Sequence, residues 1–238
     1  MPPTIRDLAD ALAPHLDRTR YHAGGDPAGV WIGSDRPVRR LGLRIEPGRA
    51  PYAWAEGLDA VVIHRPFGLW PARLPDGLGV LAVHRALDDR MAVGLNPALA
   101  DALGLIPDDE PLRRDGSPIA LVGRWAAVPV AEAEGRIAAE LGGIDEAVGD
   151  GPEAVGAVAL AGAMTDALVR DAAERGVGVY VTGQIRKPGV AAAEECGVRV
   201  LAVGQARTEA WGLRRLATLV RESFPDVEVV DQIEIPGD

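Results

Sequence analysis

Cysteine is nearly absent. The single Cys196 allows no internal disulfide, as expected of a protein kept in a reducing compartment. In AAAEECGVRV it reads as an ordinary small residue near a helix end, since no base stands nearby to make it a nucleophile. Serine occurs only at Ser34, Ser117 and Ser223, none in a G-x-S-x-G elbow, which argues against a serine hydrolase. No G-x-x-x-x-G-K-[ST] occurs, and no G-x-G-x-x-G follows a strand-like run, so the two common nucleotide cradles are missing. One cysteine also cannot supply a Cys2His2-type zinc site. Positive charge is the minority sign: 25 Lys and Arg against 35 Asp and Glu leave a net charge of −10, which disfavours nucleic acid or an anionic membrane as partner. No apolar run approaches the ~18 residues of a membrane span. The opening MPPTIRDLAD is too polar for a signal peptide, so a soluble, cytoplasmic setting is expected.

What is present points to a folded α/β chain. Apolar residues make up 47% of 238, with 29 Gly and 19 Pro, enough for a sizeable core cut by many turns. Thr4 can cap a helix with Ile5, Leu8, Leu12 and Leu16 on one face and Pro14 near its end. Strand-like runs follow at 41–45, 60–63, 79–83, 119–126, 155–162, 177–183 and 198–204. Helical patterns lie between several of them: 96–105 with an Asn cap, 130–143 ending in Gly-Gly, 166–176 ending in Gly, and 208–224 with Thr208 as cap and Pro225 beyond. GGIDEAVGDG reads as a turn region. The polar stretch IPDDEPLRRDGSP (106–118) is long enough to link two lobes. The expected architecture is therefore two packed α/β lobes, 1–112 and 113–238, each a sheet flanked by helices, with a site in the cleft between them and the last helix packing back on the first lobe.

Two apolar runs end alike. LDAVVIHRPF stops at His64-Arg65 and GVLAVHRALDD at His84-Arg85. Gln205 likewise stands just beyond a strand-like run. In open α/β sheets ligands gather at the carboxyl ends of the strands, so side chains placed there face a cleft. Asp88 and Asp89 follow His84 by four and five residues, and Glu209 follows Gln205 by four. Taken singly, the acids read as a solvated turn or as charges favouring a helix start. Their shared placement carries the functional reading. His15 and His22 lie in a polar region and carry no signal. Arg85 reads as a surface arginine, and the five tryptophans read as core or subunit contacts.

The order of these landmarks resembles the Nif-three-like family, also labelled GTP cyclohydrolase 1 type 2 homologs. Asp26-Pro27-Ala28-Gly29-Val30-Trp31-Ile32-Gly33 resembles its Asp-x-x-Gly-Leu-x-x-Gly. His64-Arg65-Pro66 stands for His-His-Pro, and His84-Arg85-Ala86-Leu87-Asp88 for His-Thr-Asn-Leu-Asp. Gly94-Leu95-Asn96 running to Leu103-Gly104-Leu105 fits the Gly-x-Asn helix and its ending. Tyr180-Val181-Thr182-Gly183-Gln184 resembles the strand into Thr-Gly-Glu, and Gly204-Gln205-Ala206-Arg207-Thr208-Glu209 the Gly-His-x-x-Thr-Glu before the last helix. The match covers nearly the whole chain. It implies a toroidal homo-hexamer and a dinuclear metal centre held by the adjacent histidines, the Asp, and the His and Glu before the last helix.

Carried over position by position, His64, Asp88 and Glu209 are retained as metal ligands. Arg65 replaces the second histidine, Gln205 the third, and Gln184 the Glu of Thr-Gly-Glu. A divalent ion about 4 Å from a guanidinium meets roughly 8 kcal/mol of repulsion at an effective dielectric of about 20, and arginine cannot shed its proton. Fewer than two divalent ions per chain (Zn, Mn, Fe or Mg) are therefore expected, with Arg65 taking the metal's place by pairing with Asp88 or Glu209. His84 is expected to be hydrogen-bonded and structural. Three functions stay open: a family member with weak or no metal-dependent hydrolase activity, a single-metal hydrolase of a nucleotide-like substrate, and a non-catalytic ring assembly that either binds a small anion in a cleft lined by Arg65, Arg207 and Gln205 or is regulatory and works through its surface.

Overall fold

The structure is a computed structural model and describes residues 1–16 and 25–235. The chain forms two compact units, Met1–Asp88 with Glu209–Asp238, and Asp89–Thr208.

In the first unit, helix α1 (Ile5–Leu16) starts where the Thr4 cap is expected. The Asp7 carboxylate accepts from the Thr4 backbone N–H at 2.7 Å and from its hydroxyl at 2.8 Å, closing the first turn. Ile5, Leu8, Leu12 and Leu16 are buried, as their three-to-four spacing requires. The strands are β1 (Ala28–Ile32), β2 (Arg40–Arg44), β3 (Ala60–Ile63), β4 (Gly79–Val83) and β12 (Glu228–Asp231), in the order β1-β4-β3-β2-β12. β12, β2, β3 and β4 run parallel, and β1 is antiparallel to β4. AVVI and GVLAV lack polar alternation because β3 and β4 are buried at every position, as parallel strands covered on both faces must be. Val61, Ile63 and Val80 pack with Tyr52, Ala55 and Leu58 on one face. On the other, a Cβ at position 79 would stand 3.0 Å from the Ile5 Cβ, so only glycine lets α1 lie this close. Helix α2 (His84–Arg90) begins as β4 ends, which places two strand termini and a helix start side by side.

In the second unit come α3 (Pro97–Ala102), β5 (Ile106–Pro107), β6 (Leu112–Arg114), β7 (Ser117–Pro129), α4 (Val130–Leu141), β8 (Glu146–Val148), β9 (Ala154–Ala161), α5 (Asp166–Glu174), β10 (Val179–Thr182), α6 (Lys187–Cys196) and β11 (Arg199–Ala202). The sheet order is β5-β7-β9-β10-β11-β8, with β6 on β7. β9, β10 and β11 are parallel, the arrangement that leaves a crevice at their carboxyl ends. Its core packs Tyr180, Leu168, Val169 and Val200 with small residues such as Ala159, Ala172 and Ala192. Asn96 caps α3 as expected, accepting from the Leu99 N–H at 3.1 Å, and left-handed Gly142 and Gly197 end α4 and α6.

Several expectations need correction. The stretch 106–118 is no linker: it forms β5 and β6 on β7, and Asp115-Gly116 (φ 52° and 76°) make the tight hairpin turn into β7. The two compact units divide at 88/89 and 208/209, and residues 209–238 group with the first unit, in keeping with a last helix that returns to the first lobe. GGIDEAVGDG contains β8, an edge strand on β11. The helix end expected at Cys196 is that of α6, which starts at Lys187, a start the sequence reading does not mark. The last helix, α7, spans Gln205–Ser223, three residues earlier than expected. Thr208 is not its cap: its hydroxyl donates back to the Gln205 carbonyl at 2.8 Å.

Candidate metal centre

His64 is the residue at which β3 gives out, and its backbone is fixed by continuing the parallel ladder. Its N–H donates to the Arg44 carbonyl at 2.9 Å, and the Arg65 N–H donates to that of Ile45 at 2.8 Å. The imidazole is wholly buried. Its Nε2 lies 3.1 Å from the His84 carbonyl oxygen, a contact in which the nitrogen must be the donor, so a neutral ring keeps its lone pair on Nδ1. Asp88 lies one helical turn after His84 on α2, with Oδ1 3.0 Å from His64 Nε2. Glu209, on α7 and fully buried, puts Oε2 3.4 Å from His64 Nδ1. All three residues belong to the first unit, whereas the sequence reading drew Glu209 from the second lobe.

Ion-pair distance is not hydrogen-bond geometry here. His64 Nδ1, Asp88 Oδ1 and Glu209 Oε2 are all buried without a hydrogen-bond partner. One ligand atom from each residue lies within 4.8 Å of the others. Orphaned buried polar atoms are costly, and a group of one histidine and two acids this close together could hold a metal ion.

Charge sets the terms of occupation. Burial pushes His64 toward neutrality, but the adjacent Asp88 and Glu209 carboxylates outweigh it and hold its pKa at about 9. Burial likewise opposes ionisation of Glu209, yet His64 and Arg65 keep its carboxyl below the usual range. At neutral pH the cluster therefore holds two cations, His64 and Arg65, against the anions Asp88 and Glu209. A cation entering must displace the His64 proton.

Arg65 turns toward the cluster. Its Nη1 donates to Glu209 Oε1 at 2.5 Å and its Nε to Glu46 Oε1 at 2.9 Å. The second partner is Glu46, not Asp88, so Arg65 spends one arm on the buried carboxylate and the other on an exposed one. Glu209 is left one free oxygen. The group His64, Asp88 and Glu209 could hold a metal ion, with one Glu209 oxygen already engaged by Arg65.

The other named residues fall elsewhere. Gln205 and Gln184 lie in the second unit, as does Arg207, which is paired with Asp145. His84 Nδ1 meets Asp26 Oδ1 at 2.7 Å, while its ring stands edge-on to Phe67. Arg85 is exposed, its backbone N–H donating to Asp26. Cys196 is exposed at the end of α6. His22 lies outside the described residues. Glu46 was missed because nothing local distinguishes it from a surface acid, whereas Asp26 opened a motif already quoted. Among the described residues no helix is long and apolar enough to cross a membrane.

Comparison with known proteins agrees with this layout. The family model Duf34/NIF3 (NGG1p interacting factor 3) matches residues 3–236. The solved structure of protein ybgI, of unknown function, is 23% identical, with a TM-score of 0.78 over 99% of this chain and 100% of its own. A Bacillus cereus protein related to NIF3 is 14% identical, TM-score 0.74, over 99% and 98%. Reduced HcgD from Methanocaldococcus jannaschii is 21% identical, TM-score 0.69, over 96% and 97%. No curated protein matches the chain.

Proposed function

Because the chain belongs to the Duf34/NIF3 family, we propose that it is a member whose dinuclear centre is reduced to one weakly held divalent cation, with little or no metal-dependent hydrolase activity. The observation that carries this reading is the Arg65 Nη1–Glu209 Oε1 contact at 2.5 Å. A guanidinium there supplies, as a fixed charge, what a second metal would otherwise bring.

His64 Nδ1, Asp88 Oδ1 and Glu209 Oε2 would hold the cation. Bound there, it would act as a Lewis acid on a water or a substrate oxygen. The protein's own part is to orient those three atoms. The His84 carbonyl fixes the His64 tautomer, and Arg65 restricts Glu209 to one oxygen. Arg65 costs a neighbouring metal several kcal/mol of repulsion at an effective dielectric of about 20, which Glu46 partly offsets. By the same family reading the protein assembles as a homo-hexameric ring in the cytoplasm.

Elemental analysis of untagged protein, purified without chelator and dialysed, should find less than one equivalent of Zn, Mn or Fe per chain. Two equivalents surviving dialysis would overturn the reading. Light scattering that showed a stable 25.0 kDa monomer at micromolar concentration would overturn the ring.

A further inference from the structure

The second unit holds a polar pocket that the metal reading leaves unused. Its volume is about 220 Å³, and it is lined by Arg114, Thr182, Gln184, Arg186 and Gln205, with Gly162, Ala163 and Met164 as its wall. Every one of these residues lies within Asp89–Thr208. The fold explains the convergence. Gly162 to Met164 leave the end of β9, Thr182 ends β10, Arg186 precedes α6, and Gln205 is the first residue of α7. The pocket therefore sits at the carboxyl ends of parallel strands, where helix starts add positive potential.

Its chemistry is one-sided. Two arginines line it and no acid does, in a chain of net charge −10. Arg124, Arg170, Arg175, Arg199, Arg207 and Arg214 are all paired with carboxylates. Arg114 and Arg186 pair with no carboxylate among the described residues. Thr182, 2% exposed, also lines the pocket. The wall is rigid. The Tyr180 hydroxyl donates to the Ala163 carbonyl at 2.6 Å, and the Arg186 N–H rests on Met164 Sδ at 3.3 Å. A Cβ at Gly183 would fall 2.4 Å from Gln205 Oε1, so the glycine leaves room for that carboxamide at the rim.

We propose that this pocket binds the phosphate of a small phosphate monoester. Two guanidinium forks and a buried hydroxyl match a tetrahedral dianion, and the absence of an acid excludes a cation. The volume lies below the ~300 Å³ of ordinary small-molecule sites, which suits a phosphate rather than a whole nucleotide. The exposed Gln184 and Gln205 then face the ester group on the open side.

The test is calorimetric titration of the full-length, chelator-treated protein with inorganic phosphate and with glycerol 3-phosphate. One saturable site per chain is expected, with the ester binding at least as tightly as phosphate. Arg114→Ala and Arg186→Ala should each weaken binding at least tenfold, and Thr182→Val about threefold. Arg136→Ala, an exposed arginine of the same unit that pairs with Glu132 and does not line the pocket, should leave it unchanged. No saturable binding up to about 10 mM, undiminished binding in the double arginine variant, or an equal loss in Arg136→Ala would each overturn the proposal. Binding of phosphate but not of the ester would overturn the assignment to a monoester.

Discussion

Arg65 in the first unit and the pair Arg114 and Arg186 in the second are all arginines near the ends of strands, yet their surroundings are opposite. Arg65 is held by two glutamates, one of them wholly buried, and completes a cluster whose charges cancel. Arg114 and Arg186 face a pocket with no counter-charge. A compensated arginine is part of the protein's own structure and changes what its partners can bind. An uncompensated pair lining one pocket with Thr182 is placed to meet an anionic ligand. Exposure alone does not separate the two cases, and neither does the residue type.

The strongest way to break this contrast is to remove the anion on which the first cluster depends. Glu209→Ala would leave His64 and Arg65 facing each other in a buried site, and should cost about 3–5 kcal/mol of stability. Urea denaturation of metal-free protein would read it, and a loss below 1 kcal/mol would show that the cluster is not held by charge balance.

Next in size is the pH dependence of the metal-free protein. The His64 pKa is raised from 6.5 to about 9 on folding, so its contribution is fully present below pH 6.5 and is lost as pH rises through 9. Stability should fall across that window by a few kcal/mol at most. His64→Gln should flatten the slope; an unchanged slope would mean that the carboxylates do not hold the proton. Metal affinity should rise over the same window, because the cation competes with that proton.

A smaller effect sharpens the comparison by turning one kind of site into the other. Arg65→His removes a fixed charge and adds a neutral donor beside His64 and Glu209, which should raise Zn or Fe affinity at least tenfold. Calorimetric titration of parent and variant decides it, and equal affinities would mean that Arg65 is not what limits the metal.

The smallest expected effect completes the contrast. Arg114→Ala and Arg186→Ala should each change stability by less than about 0.5 kcal/mol, since neither breaks an ion pair among the described residues. Thermal melts would show it. A larger loss would make these arginines structural and undercut their reading as a binding pair.

Much of this was legible locally. Continuous apolar runs identified β3 and β4 and stopped them at His64 and His84, because burial on both faces tolerates no alternation. The Thr4 and Asn96 starts were visible because a cap involves residues only three positions apart. The start of α7 was not, since Thr208 looks like a cap while its hydroxyl bonds backward. The order of motifs was enough to name the family and to pick out His64, Asp88 and Glu209.

By itself, then, the sequence determined the buried strands such as β3 and β4, several capped helices, the family and the group His64, Asp88 and Glu209, since each rests on short-range patterns or on their order along the chain. Only the tertiary structure decided that Arg65 reaches Glu209, 144 residues away, with Glu46 on its other arm. It alone decided that Arg114 and Arg186 share a pocket that no acid enters. The physical reason is that charge compensation depends on distance in space. A row of letters shows how many arginines and acids a chain has, but the fold determines which of them meet.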